Sequence, residues 1–178
     1  MKKLVLLVSS VILLWSCNDK PTLQKYFVEN TESSKFIAID LASNIIKTDK
    51  VSLSETEKAA LESFEKMNIL AFKRNPNNTA EFETERAKLN GILKNPKYQQ
   101  LMKFGSGKEG ASVSFVGTDE HIEEFVLFAN QKETGFAVVR VLGKDMNPTH
   151  IMNMMSIMQQ SKIDLDQLKP LQELLKKQ

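Results

Sequence analysis

The stretch Ala111-Ser112-Val113-Ser114-Phe115-Val116, then Ile122-Glu123-Glu124-Phe125-Val126-Leu127-Phe128-Ala129-Asn130, then Phe136-Ala137-Val138-Val139-Arg140-Val141-Leu142 decides the fold. Each run is β-branched or aromatic and bounded by turn residues, so each reads as a strand. Gly117-Thr118-Asp119 and Lys132-Glu133-Thr134-Gly135 are too short for anything but tight turns, so the three strands form an antiparallel meander. The third strand is apolar on both faces, with Ala137, Val139 and Val141 on one and Phe136, Val138 and Leu142 on the other, which predicts a strand covered on both sides. Ser112 and Ser114 predict that the first strand leaves one face open to water.

Upstream, Phe36-Ile37-Ala38-Ile39-Asp40-Leu41 alternates and reads as a further strand, and residues 23–28 as one or two helical turns. Ser54-Glu55-Thr56-Glu57 is a capping box, which predicts a helix from there to about Met67, with Leu53, Leu61 and Phe64 inward. Residues 68–73 then make a short strand, and strand, helix, strand over this length suggests a right-handed crossover between parallel neighbours. After the turn at Asn75-Pro76, Asn78 or Thr79 caps a second long helix with Phe82, Leu89, Ile92 and Leu93 inside and Glu85 and Arg86 outside. Asn95-Pro96 breaks it, and Tyr98-Gln99-Gln100-Leu101-Met102 reads as another turn or two of helix before a glycine hinge at Gly105, Gly107 and Gly110. Asn147-Pro148 opens a methionine-rich helix, and Ile163, Leu165, Leu168, Leu171, Leu174 and Leu175 mark a final apolar segment. The expected fold is therefore α+β: a mixed sheet of about five strands, a C-terminal antiparallel meander, and helices packed on the sheet.

At the other end, Lys2 and Lys3 precede an apolar run and Leu14-Trp15-Ser16-Cys17. The run is too short to span a bilayer, which takes about 20 residues. A positive start, a short apolar centre and a small residue before the cut make a signal peptide. Its ending resembles a bacterial lipoprotein signal, in which Cys17 becomes the lipidated N-terminus; Trp15 departs from the usual small residue there. The expected organisation is a signal peptide over residues 1–16, a lipidated tether over 17–22, and one α+β domain over 23–178. Asn18, rather than an acid, after the cysteine favours the outer membrane with the domain facing the periplasm. Cys17 is the only cysteine, so the mature domain has no disulfide and no thiolate chemistry.

Charge fits this organisation. The chain has 24 basic and 22 acidic residues, and cleavage after Ser16 removes two lysines and no acid, leaving a neutral domain. No basic stripe interleaved with aromatics is present, so nucleic acid is not an expected partner.

The chemistry-bearing residues are few. Met152 and Met155 with His150 compose a possible Cu(I) set, since thioethers are soft ligands. Helical spacing of Ile151, Met154, Met155 and Met158 equally suits core filling, or a contact face for a partner made by Met154, Met155 and Met158. The two histidines, His121 and His150, lack a second ligand at metal spacing. Ser43 and Ser106 lack a nucleophile elbow, and Gly105-Ser106-Gly107 is a hinge rather than a phosphate loop. Asp40 and Arg140 are charges on apolar strands, explained by an ion pair or an edge position unless a shared pocket unites them. No catalytic set and no cofactor is expected. The expected role is a non-enzymatic, membrane-anchored module that binds an envelope protein, through the methionine helix or the half-polar strand 111–116; copper binding is the alternative.

Four stretches carry a family resemblance: Phe36-Ile37-Ala38-Ile39-Asp40-Leu41, the strand at residues 69–72 before a long helix, Tyr98-Gln99-Gln100-Leu101-Met102, and Val138-Val139-Arg140-Val141-Leu142-Gly143. Their order resembles the domain-of-unknown-function family 4252, over nearly the whole mature chain. The resemblance implies a small α+β envelope domain, often lipidated. It implies no activity, so no residue role is carried over.

Overall fold

A computed structural model describes residues 21–47, 52–106, 109–160 and 162–163. Its strands are β1 (Phe36–Ala42), β2 (Ile46–Lys47), β3 (Phe64–Lys73), β4 (Gln99–Ser106), β5 (Glu109–Thr118), β6 (His121–Gln131), β7 (Gly135–Met146) and β8 (Lys162–Ile163). Its helices are α1 (Leu23–Asn30), α2 (Glu55–Ser63), α3 (Thr79–Leu93) and α4 (Pro148–Gln160). Six strands form one open sheet in the order β1-β3-β7-β6-β5-β4, every pair antiparallel, and β2 pairs with β8. The α+β class and the meander stand. Among the described residues no helix is long and apolar enough to cross a membrane.

Helices cover both faces of the sheet. On the first face, β1, β3 and β7 carry a transverse phenylalanine row, Phe36, Phe72 and Phe136, in register. Phe72 and Phe136 stack with centroids 5.5 Å apart, and Phe82 from α3 closes over them. Leu23, Tyr26 and Phe27 of α1 and Leu89 and Ile92 of α3 complete this core. On the second face, Ile39, Ile69, Phe125 and Val141 pack with Ala60 of α2 and with Met154 and Ile157 of α4. The apolar stripe expected on α3 is thus the buried one.

The capping box forms as its sequence requires: Ser54 N donates to Glu57 Oε2 at 2.9 Å, and Glu57 N to Ser54 Oγ at 3.3 Å. The helix it starts ends at Ser63 rather than Met67. Residues 64–67 are helix-compatible in isolation, but they lie between two strands, and ladder pairing with β1 and β7 overrides local preference. β1 and β3 are antiparallel, not parallel. The chain between them does not run back along the sheet: Ala42 and Lys66 are cross-strand partners, so it leaves and re-enters at one end, using β2 to pair with β8. Every pair in the sheet being antiparallel replaces the mixed sheet that the sequence suggests.

The segment read as helical turns after Asn95-Pro96 is β4, the outermost strand. Local signals there are ambiguous, and the partner that fixes it is β5, across the hairpin. Gly105 and Gly110 face each other in that ladder. A Cβ on Gly105, whose φ is 76°, would sit 2.6 Å from the Glu109 carbonyl oxygen, so the glycines serve the close approach of two strands rather than a loose hinge.

Candidate functional site

The first face changes character from one edge to the other. Across one register row the residues run Ala38, Leu70, Val138, Phe128, Ser112, Lys103, from apolar to polar. Over the polar end lies the C-terminal half of α3. Arg86, Asn90 and Lys94 recur every four residues, so one helical stripe faces down between the apolar stripe and solvent. Floor and roof enclose a cleft of about 220 Å³. Lys103, Ser112, Ser114, Phe128 and Asn130 make its floor, and Tyr98 stands at the junction of α3 with β4.

Several groups in this cleft are pre-positioned. Arg86 is only 16% exposed, held by an ion pair with Glu83 and by its place 5.7 Å over the Phe82 ring. Asn90 Nδ2 donates to the Arg86 carbonyl at 2.8 Å. Lys94 caps the helix, whose negative pole it offsets. Tyr98 is 7% exposed, and its hydroxyl is buried with no hydrogen-bond partner among the described residues; Arg86 Nε is in the same condition. Among the described residues Glu109 is the one carboxylate lining the cleft, and its Oε1 accepts from the Lys132 backbone N–H at 3.2 Å. Against it stand three cations, Arg86, Lys94 and Lys103.

Beneath α1 is a different polar set. Asp40, Asn68 and Arg140 are register partners in one transverse row. Asp40 accepts from Asn68 Nδ2, and Arg140 pairs with Glu124. Arg140 Nη1 also donates to Gln24 Oε1 at 2.9 Å, and its guanidinium lies 5.4 Å from the Phe27 ring centroid. Asp40 is exposed and Arg140 buried, Asn68 stands between them, and neither lines the cleft. Arg140 is thus explained by its ion pair.

The methionine helix divides in two. Met154 is 7% exposed and packs in the second core, so it faces inward and offers no surface to a partner. Met152 is 71% exposed. His150 and Met152, two residues apart on α4, point to different sides. The Met155 and Met158 side chains, Gly107, and the whole signal with Cys17 lie outside the described residues. Among the described residues no three His, Cys, Asp or Glu gather as a metal-binding group. His121 begins β6 at the surface, its Nδ1 3.0 Å from Asp145 Oδ1.

Ser112 and Ser114, expected on a face open to water, lie instead in the floor of the cleft under α3, with Ser114 only 7% exposed. The helical contribution was missed. Its signal was the four-residue spacing of Arg86, Asn90 and Lys94 beside the stripe of Phe82, Leu89 and Ile92. The second face has a feature of its own at the same edge. Met102, Val113, Leu127 and Val139 form one register row, and Phe104 and Ala111 start the next. Leu101, Met102 and Phe104 on β4 are 40%, 45% and 59% exposed.

A family model described as Domain of unknown function (DUF4252) matches residues 26–154, which takes in the whole six-stranded sheet and the cleft. The chain has no significant match among curated proteins or among solved structures. With most of its length inside that match, the chain belongs to the DUF4252 family, a domain of unknown function.

Proposed function

We propose that the chain is a lipid-anchored envelope protein whose domain binds another envelope protein through the outer strand β4. The observation that carries the binding role is the exposure of Leu101, Met102 and Phe104 together on one edge strand. Edge strands of soluble proteins are ordinarily short, charged or covered, and grouped exposed apolar side chains there mark contact surfaces. Lys103 and the irregularity between Gln100 and Met102 blunt the edge against indiscriminate pairing. The contact therefore uses the exposed apolar side chains of this strand, with Met102 adjoining half-buried Val113 and Leu127 on the second face and Phe104 at the rim of the cleft. The occupant is a folded envelope protein with an apolar patch, since the mature chain has no net charge to steer it toward nucleic acid or anionic lipid.

Anchoring is supported by the basic start, the short apolar run and Leu14-Trp15-Ser16-Cys17. Five residues, 18–22, separate that cysteine from α1, which holds the domain within about 20 Å of the membrane surface. Diacylglycerol on the thiol with an amide-linked third chain makes release very slow. The Asn18 that follows supports the periplasmic side of the outer membrane.

A photo-crosslinking amino acid at position 104, in native membranes, tests the contact. The expected result is a discrete adduct with a second envelope protein, abolished by Met102→Lys. Adducts formed only within the chain, to residues 164–178, or only with lipid overturn it. Cys17→Ala tests the anchor separately: the expected product is soluble or unprocessed, and a mature, tightly membrane-bound variant overturns the anchor.

A further inference from the structure

We infer that the cleft between α3 and the β4-β5 edge binds a small acidic sugar, a polyhydroxylated ring bearing a carboxylate or phosphate. This goes beyond the protein-binding role, which rests on the exposed apolar side chains of β4; of these Phe104 also borders the cleft. The first argument is an unmet hydrogen bond. A buried hydroxyl without a partner costs about 1–3 kcal/mol, and buried polar groups of native proteins are nearly always paired. Tyr98 and Arg86 both line the cleft, and the Tyr98 hydroxyl and Arg86 Nε are buried with no hydrogen-bond partner among the described residues. Two such groups lining one small cleft are explained by a ligand that supplies acceptors.

The second argument is charge. Among the described residues Arg86, Lys94 and Lys103 line the cleft with one carboxylate, Glu109; Glu83 outside the lining pairs with Arg86, so the excess of positive charge rests on the two lysines. Glu109 is engaged by the Lys132 backbone, and Arg86 is oriented by Glu83 and Phe82 rather than free to swing. A fixed guanidinium and two lysines favour one anionic group on the ligand, through charge-assisted hydrogen bonds. The third argument is the rest of the lining. Ser112 and Ser114 offer hydroxyls that both donate and accept, and Phe128 gives an apolar floor. That mixture suits a ring with an apolar face and a hydroxylated rim. A cleft of about 220 Å³ is large enough to take one sugar ring.

Calorimetric titration of the full chain in detergent, with glucuronate, glucose 6-phosphate, glucose and inorganic phosphate as probes, tests this. At least one acidic sugar is expected to bind saturably in the sub-millimolar range, with glucose and phosphate weaker by about tenfold or more. Which acid binds tighter distinguishes carboxylate from phosphate. Lys103→Gln, at an exposed position, is expected to weaken binding by about tenfold. Tyr98→Phe is expected to weaken it while leaving the thermal midpoint of the unliganded chain unchanged or higher, because the hydroxyl has no partner among the described residues. No saturable heat from either acidic sugar up to about 10 mM overturns the proposal. Equal binding of glucose and glucuronate, or acid binding indifferent to Lys103→Gln, overturns it as well.

Discussion

Arg140 Nε donates to Glu124 Oε1 at 2.7 Å, with the two side chains 6% and 8% exposed. The pair lies under α1, and through Gln24 and Phe27 it fixes the helix that opens the domain. Removing one partner leaves the other charged and buried. Arg140→Met is expected to destabilise by about 3–5 kcal/mol, whereas Arg140→Met with Glu124→Leu should recover most of that loss. Urea unfolding at neutral pH measures both. A double variant as unstable as the single one shows that the pair cannot be replaced by apolar packing.

Tyr26 donates its hydroxyl to Glu85 Oε2 at 3.1 Å. Burial, and then the negative charge of Glu85, push its phenol well above the ordinary value of 10.0. Because the folded value is raised, the contribution is complete below pH 10 and is lost as pH climbs beyond it. The difference in stability between the natural chain and Tyr26→Phe should therefore be flat through neutral pH and shrink above pH 10. Denaturant midpoints across an alkaline series read this directly, and a gap that widens with pH contradicts it.

Two glycines are expected to behave oppositely. At Gly135, with φ of 130°, a Cβ would lie 1.9 Å from the Phe72 carbonyl oxygen. Gly135→Ala should cost about 3 kcal/mol, from strain and a displaced β3–β7 ladder. Gly91 sits inside α3 with nothing within 4 Å of the same atom. Gly91→Ala should stabilise by about 0.5–1 kcal/mol. Thermal melts of both variants at one pH check the pair.

Met152 and Met154 separate core from surface on α4. Met154→Ala should cost about 2–4 kcal/mol by opening a cavity among α2, α4 and the sheet. Met152→Ala should change stability by no more than about 0.5 kcal/mol. Equal effects would show that the helix does not present these faces.

The elements legible in the sequence were those with local instructions. Ser54 and Glu57 cap α2 because they are three residues apart, and Pro148 starts α4 because its ring suits the first helical position. The meander followed from two short turns, and the stripe of Phe82, Leu89 and Ile92 from its period. What stayed hidden depends on partners distant in the chain. Residues 64–67 and 99–102 have no decisive local preference and become strands through pairing with β1, β5 and β7. The cleft was half visible for the same reason. Ser112 and Ser114 marked one wall, but only the topology brings Arg86 and Lys94 over them.

The strand order has a consequence for how the chain assembles. β4 to β7 are joined by hairpins and can zip together as they appear, but β3 lies between β1 and β7, with Phe72 against Phe136. A chain delivered from its N-terminus first therefore exposes β1 and β3 as a two-stranded ribbon with no stable sheet to join. The N-terminal half must wait, loosely structured, until β7 has arrived. Any factor that shields unfinished chains has its longest task on residues 36–73.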